Sequence, residues 1–405
     1  MFLKRVILFL MLLPWASWAG TQTWNNFDDF SKGHFENVLL LASGKLEVGY
    51  PLKTLTVDLP SAVTAMAMGP HSEIYVATSG PGQVWQIKPT QKPRLIFESG
   101  QPIISQLISM PNGELAILMG PQGGVNFVKP NTSQNARMVS IPEQLLGAYV
   151  QKDALYLVGN SNSLFTIKNY EVSKSPIVGT ENQFRTVYKN YTGSAQSGTV
   201  YQDGKAIFKA AGETIAITED KKGNLFAAFN TSPTSSQIWR ISKKDPSCLV
   251  WESSKHLIYA LAIQESKLFW GTGPNGQLFS SQPDCNAKPD ILLSLQNRNR
   301  IMALAPQGSK LLIATAKTGA LFELDLSQKA NSGRFIAPIV KLDTPSKITE
   351  SSDPIWLGNT PIPDNSWSSF EKDKNRQAQF VEPRVLVNAG KPVDKVSFSW
   401  QSGPH

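Results

Sequence analysis

Apolar residues in this chain fall into short runs broken by Gly, Pro, Ser and Asn, and no stretch sustains a helical period. Residues 62–99 show the pattern in full. An apolar run at 63–68 stops at Pro70 and His71, and 74–78 is rich in β-branched and aromatic residues. Ser79, Gly80, Pro81 and Gly82 then make a turn, 84–87 resumes the strand pattern, and Pro93 leads into 95–97. That order predicts four short strands joined by turns. It recurs at 102–140, 145–178, 184–211, 213–253, 256–296 and 299–326. One such sheet cannot bury both of its faces alone. Stacked neighbours can, and closing the stack removes the exposed end faces.

An aromatic residue marks every repeat. Trp85, Phe127, Phe165, Tyr201, Trp239, Phe279 and Phe322 each close a small-residue turn and a short apolar run, at steps of 42, 38, 36, 38, 40 and 43 residues. A period near forty, carried by strands, is the signature of a β-propeller. The fold class expected is all-β: a seven-bladed β-propeller over 52–326. The aromatics sit inside apolar runs and not at loop tips, which favours blade packing over a carbohydrate-stacking ring. The fourth repeat is the shortest, and its second strand near 191–193 reads weakly. The seventh has strands at 301–305, 311–315 and 320–326 but no fourth; the alternating stretch 52–59 is expected to supply it and close the ring.

Both ends differ from the repeats. Residues 1–19 carry Lys4 and Arg5, an apolar core at 6–13, and small residues Ala16, Ser17 and Ala19 before Gly20, the pattern of a cleaved signal peptide. The apolar core is too short for a membrane anchor, the alternative reading, so no membrane span is expected after cleavage. Export to the periplasm or the cell exterior is expected. Residues 20–51 form a lead segment. Past Asp325 the chain turns polar at 327–334, reads as a strand at 335–342, becomes loop-rich around Pro345, Pro354, Pro361 and Pro363, and alternates again at 379–388 and 396–400. Residues 327–405 therefore read as a β-rich segment, a reduced β-sandwich.

Composition adds limits. The chain is 17% charged and 41% hydrophobic, ordinary for a globular protein. Its formal charge is +8, which falls to +6 when Lys4 and Arg5 leave. The basic residues are scattered, with short clusters only at Lys221–Lys222, Lys243–Lys244 and Arg298 with Arg300, so nucleic acid is not expected as a partner. The two cysteines, Cys248 and Cys285, follow the third strands of the fifth and sixth repeats. Export makes a disulfide chemically accessible. The alternative is two unpaired thiols, because corresponding points on neighbouring blades can lie beyond bonding reach.

Candidate chemistry is sparse. His34, His71, His256 and His405 show no metal-ligand spacing. No nucleophile elbow or P-loop is present. Gly271, Gly273 and Gly276 match G-x-G-x-x-G, but a strand follows, so a hairpin turn is the better reading. Glu219 with Asp220 reads as a solvated turn before it reads as a cation site. Asn131, Asn190 and Asn230 fit the glycosylation sequon, which matters only in a eukaryotic secretory route. First strands line a propeller's channel, and Thr64, Ala65, Gln106, Ala148, Ala216, Ala260 and Ala303 there are mostly small or apolar. No cofactor, metal or catalytic residue is expected.

Several strings carry a resemblance. The lead Phe27-Asp28-Asp29-Phe30, then Gly33, Glu36-Asn37-Val38 and Ser43-Gly44-Lys45-Leu46, is similar to the N-terminal region of exported bacterial WD40-like propeller-repeat proteins. Gly271-Thr272-Gly273 and Ala77-Thr78-Ser79-Gly80 resemble their blade turns. Gly333-Arg334-Phe335, Gly358-Asn359-Thr360-Pro361, Pro363-Asp364 and Trp367-Ser368, with a closing strand at 393–400, resemble their C-terminal segment. The resemblance implies the architecture and says nothing of a ligand.

A fold does not fix a function. The expectation is a monomeric, non-enzymatic binding or scaffolding propeller with a protein or cell-envelope partner. The alternative is a propeller lactonase or lyase with a metal in the central channel. Glycan recognition through Trp356 and Trp367 is a third reading, and both residues read better as packed.

Overall fold

The structure, a computed structural model, describes residues 18–338 except 57–58, 89–90, 121–122, 133–135, 162, 177–183, 243–244, 296–298 and 317–318. Beyond these it describes 340–346, 356–357, 360–361, 378–381, 384–390 and 392–402. The leader at 1–17, Trp367 and most of the loop-rich stretch lie outside the described residues. The chain forms two compact units: residues 50–329, and residues 1–49 together with 330–405.

The larger unit holds the repeats. In the first, Val63–Met68, Ile74–Thr78, Gln83–Ile87 and Arg94–Glu98 pair antiparallel in sequence order. The second, third, fourth and fifth repeats do the same. In the seventh, Ile301–Gln307, Lys310–Thr315 and Leu321–Asp325 take Leu52–Thr56 as their fourth strand, with Phe322 opposite Thr54 and Leu324 opposite Leu52. This yields six separate four-stranded blades, not the seven expected from the repeat count. The sixth repeat is the exception. Its strands Leu257–Gln264, Lys267–Gly273, Gln277–Ser281 and Asp290–Ser294 pair in order but belong to a nine-stranded sheet. The physical sign is in its outer strand, where Ile291, Leu292 and Leu293 are all buried. A continuous apolar run of that kind marks a strand without a free edge.

Burial on both faces explains the second strands. Every residue of Ile74–Thr78 and of Leu115–Gly120 is buried. Ala65, Tyr75, Ala77 and Val84 of the first repeat share a core with Ile104, Leu107, Leu115 and Ile117 of the second. On its other face the first repeat packs Val63, Ile74 and Val76 against Leu312, Ala314 and Leu321 of the seventh. Each fully buried Val, Ile or Leu contributes roughly 1.5–3 kcal/mol.

The first strands share a second device. All seven bulge near their start, at Val63/Ala65, Ile104/Gln106, Leu145/Gly147, Phe184/Thr186, Thr214/Ala216, Ile258/Ala260 and Ile301/Ala303. A bulge adds local twist, which a strand at the crowded centre of stacked sheets needs. Close approach also fixes glycines. A Cβ on Gly193 would lie 2.5 Å from Thr214 Cγ2 of the next repeat. That glycine made the strand Tyr191–Ser194 read weakly in the sequence, yet all four of its residues are buried.

Amide side chains join neighbouring sheets. The Gln106 amide accepts from Ala148 N at 2.7 Å and donates to Ala148 O at 3.0 Å. Asn230 makes the same two-way pairing with Ile258 N and O, each at 3.1 Å. Cys248 and Cys285 are bonded, with Cα atoms 5.7 Å apart. The bond holds Asn286 N on Leu249 O and Ala287 N on Val250 O, both at 2.8 Å, so the outer strand of the fifth repeat, Cys248–Ser253, has its edge covered. Closing this 37-residue separation is worth roughly 3–4 kcal/mol in the chain-entropy picture.

In the smaller unit the N-terminal lead and the C-terminal segment fold together. Trp18–Trp24 pairs with Val396–Ser402, and His34–Glu36 pairs with Ser332–Ile336, which pairs with Arg384–Asn388. One helical turn, Phe27–Phe30, is capped by the Asn26 side chain accepting from Asp29 N. Phe335 meets Phe30 edge-on at 5.4 Å and Phe35 at 5.9 Å. The strand expected at 335–342 is split, Ser332–Ile336 being followed by Val340–Ser346, with Pro338 between. The one expected at 379–388 is described as two strands, Ala378–Val381 and Arg384–Asn388. At Pro338 proline removes the ladder donor.

The seven repeating aromatics all lie on third strands. Phe127, Phe165, Tyr201 and Phe279 are buried, while Trp85, Trp239 and Phe322 are half-buried. Phe279 stacks on Trp270 at 5.6 Å and also meets Trp251 of the preceding repeat at 5.4 Å. Trp239 has one ring neighbour of comparable closeness, Phe208 at 5.3 Å. Phe279→Ala should therefore cost about 3–5 kcal/mol in urea unfolding, and Trp239→Ala clearly less. Equal losses, or the reverse order, would contradict this packing.

Candidate binding surfaces

The channel positions singled out by the sequence lie on the first strands. Ala65, Ala148 and Ala260 are buried, and Thr64, Gln106, Ala216 and Ala303 are half-buried. Gln106 is spent on the backbone of the next repeat. Tyr149 of the third repeat stacks on Tyr156, its partner across the ladder, at 5.0 Å. Burial, reinforced by the second phenol, pushes the Tyr149 hydroxyl up to about 12. Among the described residues, no group of three or more His, Cys, Asp or Glu side chains is placed to hold a metal ion.

His256 sits where the fifth repeat passes into the sixth. Its ring lies 5.4 Å from Phe279, and its carbonyl accepts from Ser236 Oγ. Burial lowers its pKa to about 4, with Lys255 adding repulsion. The ring is thus neutral at ordinary pH and contributes packing, not charge.

A first candidate surface runs along the outer strands. Arg94–Glu98, Arg137–Val139, Glu171–Pro176 and Lys205–Lys209 close four consecutive repeats, and among the described residues none has a second ladder partner. Each carries an exposed apolar side chain: Leu95 at 41%, Met138 at 57%, Val172 at 43% and Ile207 at 38%. Exposed apolar residues are normal when scattered singly; these occupy matching strands of successive sheets. The contrast with the covered edge at Cys248–Ser253 is direct. Edge strands of this kind are templates for another strand.

A second candidate is a cleft of about 300 Å³ between the first and second repeats, lined by Gln86, Lys88, Gln91, Lys92, Arg94 and Asn131. Its floor is a hydrogen-bond chain. Arg94 donates from Nε and Nη2 to Gln86 Oε1, at 3.1 and 2.7 Å, and from Nη2 to Pro130 O. Gln86 in turn donates to Asn131 Oδ1 at 3.3 Å. Asn131 bonds the Glu73 carboxylate, which also accepts from His71 N. Burial opposes the Glu73 charge, but the bonds from its own backbone, His71 and Asn131 outweigh it and hold the pKa below the usual carboxylate range. The sequence reading passed over this site. Its one local signal is the stretch 88–94, where Lys88, Lys92 and Arg94 fall among two prolines. Glu73 and Asn131 belong to other turns, and only the stacking of repeats brings them in.

Comparison with known proteins places the fold. It is similar to a catalytically inactive virginiamycin B lyase from Staphylococcus aureus with quinupristin, at a TM-score of 0.56 and 10% identity over 68% of this chain and 99% of that one. The WD40 β-propeller domain of Doa1 follows at 0.53 and 11% identity, over 69% of this chain and 98% of that one. YCF48 bound to a D1 peptide gives 0.53 and 9% identity, over 68% and 96%. No protein-family profile matches the chain, and no curated protein does. These likenesses support a WD40-like β-propeller and leave the expected exported bacterial family unconfirmed. They also correct the expectation that the chain is not an enzyme. A lyase stands among the proteins that share this architecture, so missing sequence motifs give no ground for excluding catalysis. At such identities the likeness shows the fold alone. Among the described residues no helix is long and apolar enough to cross a membrane.

The depressed His256 pKa makes a signed prediction. The native state disfavours imidazolium while the unfolded chain does not, so the native state binds fewer protons and stability falls as pH drops from about 6.5 to about 4. Relative to His256→Gln, the wild type should lose about 3 kcal/mol across that window, the two pKa values being about 2.5 units apart. Parallel pH–stability curves for the two proteins would refute it.

Proposed function

We propose that this protein is an exported binding or scaffolding propeller that docks a protein partner along the outer edges of its first four repeats. The observation that carries this reading is the run of four consecutive outer strands with no second ladder partner among the described residues, each with a large exposed apolar side chain. An added strand would gain main-chain hydrogen bonds from the edge and bury those side chains. Arg137, Lys205 and Lys209 outnumber Glu98 and Glu171 along these strands, Arg94 being engaged by Gln86 and Pro130 and Lys174 already paired with Glu143 at 2.6 Å. The partner segment is therefore extended, apolar at alternate positions and acidic. Propellers of this fold include one bound to a peptide, YCF48 with its D1 peptide. Export is supported by the leader pattern at 1–19 and by the Cys248–Cys285 bond, which suits an oxidising compartment.

Val172→Lys combined with Ile207→Lys tests the reading. Both sites are exposed, so stability should change by less than about 0.5 kcal/mol per site. Partner capture by crosslinking in the cells of origin, quantified by mass spectrometry, should fall at least about tenfold. Unchanged capture with the doubly substituted protein would contradict edge docking.

A further inference from the structure

We infer that the cleft between the first and second repeats is a binding site for a phosphate-bearing small molecule. This goes beyond edge docking and shares with it only Arg94, which opens one of the edge strands. The cleft presents three cations, Lys88, Lys92 and Arg94, with three amides, Gln86, Gln91 and Asn131, and no carboxylate lines it. One buried acid joins the floor's chain of bonds, Glu73, at 6% exposure and bonded to Asn131. The chain from Arg94 through Gln86 and Asn131 to Glu73 matches that one negative charge with the guanidinium. Among the described residues, Lys88 and Lys92 form no ion pair. Two positive charges are therefore left facing a concave, amide-lined space.

The donor set suits a tetrahedral dianion. The lysine ammonium groups supply point charges with rotatable donors. Arg94 is fixed through Nε and Nη2, while Nη1 makes no hydrogen bond among the described residues and keeps its two N–H groups. Gln86, at 2% exposure, cannot reorient because both ends of its amide are engaged. A preorganised floor under mobile charged walls favours an anion with several acceptor oxygens. A volume of about 300 Å³ is at the small end for ligand sites, and it admits a phosphate carrying a group the size of one sugar ring. A soluble phosphate ester and a phosphate lipid headgroup present the same chemistry.

The test is calorimetric titration of the full mature protein with inorganic phosphate and with glucose 6-phosphate. Acetate and glucose at matched ionic strength are the controls. Binding of both phosphates, without acetate or glucose, is expected. Lys88→Ala with Lys92→Ala should weaken it at least about tenfold, the scale of one charge-assisted hydrogen bond. Lys267→Ala, an exposed lysine on the sixth repeat outside both surfaces, should leave it unchanged. Vesicles of phosphatidylcholine with phosphatidic acid, read by cosedimentation, separate the sources. Retention that depends on Lys88 and Lys92 assigns a lipid headgroup, and binding of the soluble phosphates alone assigns a soluble ester. The paired lysine variant should melt like the wild type, since neither residue is in an ion pair. No phosphate binding, equal binding of acetate, or equal loss with Lys267→Ala would each overturn the inference. None of these outcomes bears on capture through Val172 and Ile207, so the two readings fail separately.

Discussion

Burial of each sheet on both faces is the constraint from which the rest follows. A four-stranded sheet with a second strand such as Ile74–Thr78, buried along its whole length, has no stable existence alone. It needs a neighbour on each side, and the end repeats need each other. Leu52–Thr56 meets that need by completing the sheet of the seventh repeat, whose face packs on the first. The bulged first strands, the glycine at 193 and the amide pairings of Gln106 and Asn230 are local answers to the same crowding at the centre.

The same constraint sorts the surface into functional and structural parts. Packing consumes the two faces of each sheet and leaves the outer edge. In the fifth repeat that edge is covered by a disulfide-held segment, while in the first four no described strand covers it and each presents a large exposed apolar side chain. Stacking also creates grooves between repeats, and at the first of these a buried carboxylate, two amides and a guanidinium form a fixed floor beside Lys88 and Lys92, which form no ion pair among the described residues. Edge and groove thus arise from one architecture.

The period of the aromatics made the propeller legible, because the same packing problem recurs at each third strand and selects a large side chain each time. The closing strand was legible too, since a repeat short of one strand must borrow it. The blade count was not. A period counts repeats, whereas a blade is defined by where its ladder ends, and the run Ile291, Leu292, Leu293 was the only local sign that the sixth repeat differs. Gly193 misled for a physical reason: the sequence offers glycine as a turn residue, and the fold uses it for lack of a Cβ. The groove was hidden because its parts come from three turns, and only the stretch 88–94 marks it. Enzyme or not could not be read from motifs, since a propeller's site is assembled from separate blades.

Hydrogen exchange on the protein, with and without its crosslinked partner, tests edge docking most directly. The outward-facing backbone amides of 94–98, 137–139, 171–175 and 205–209, which the third strands do not engage, should exchange freely in the isolated protein, as edge strands do, and become protected in the complex. Protection confined to the turns or to the first strands, with these four outer strands exchanging as before, would contradict it.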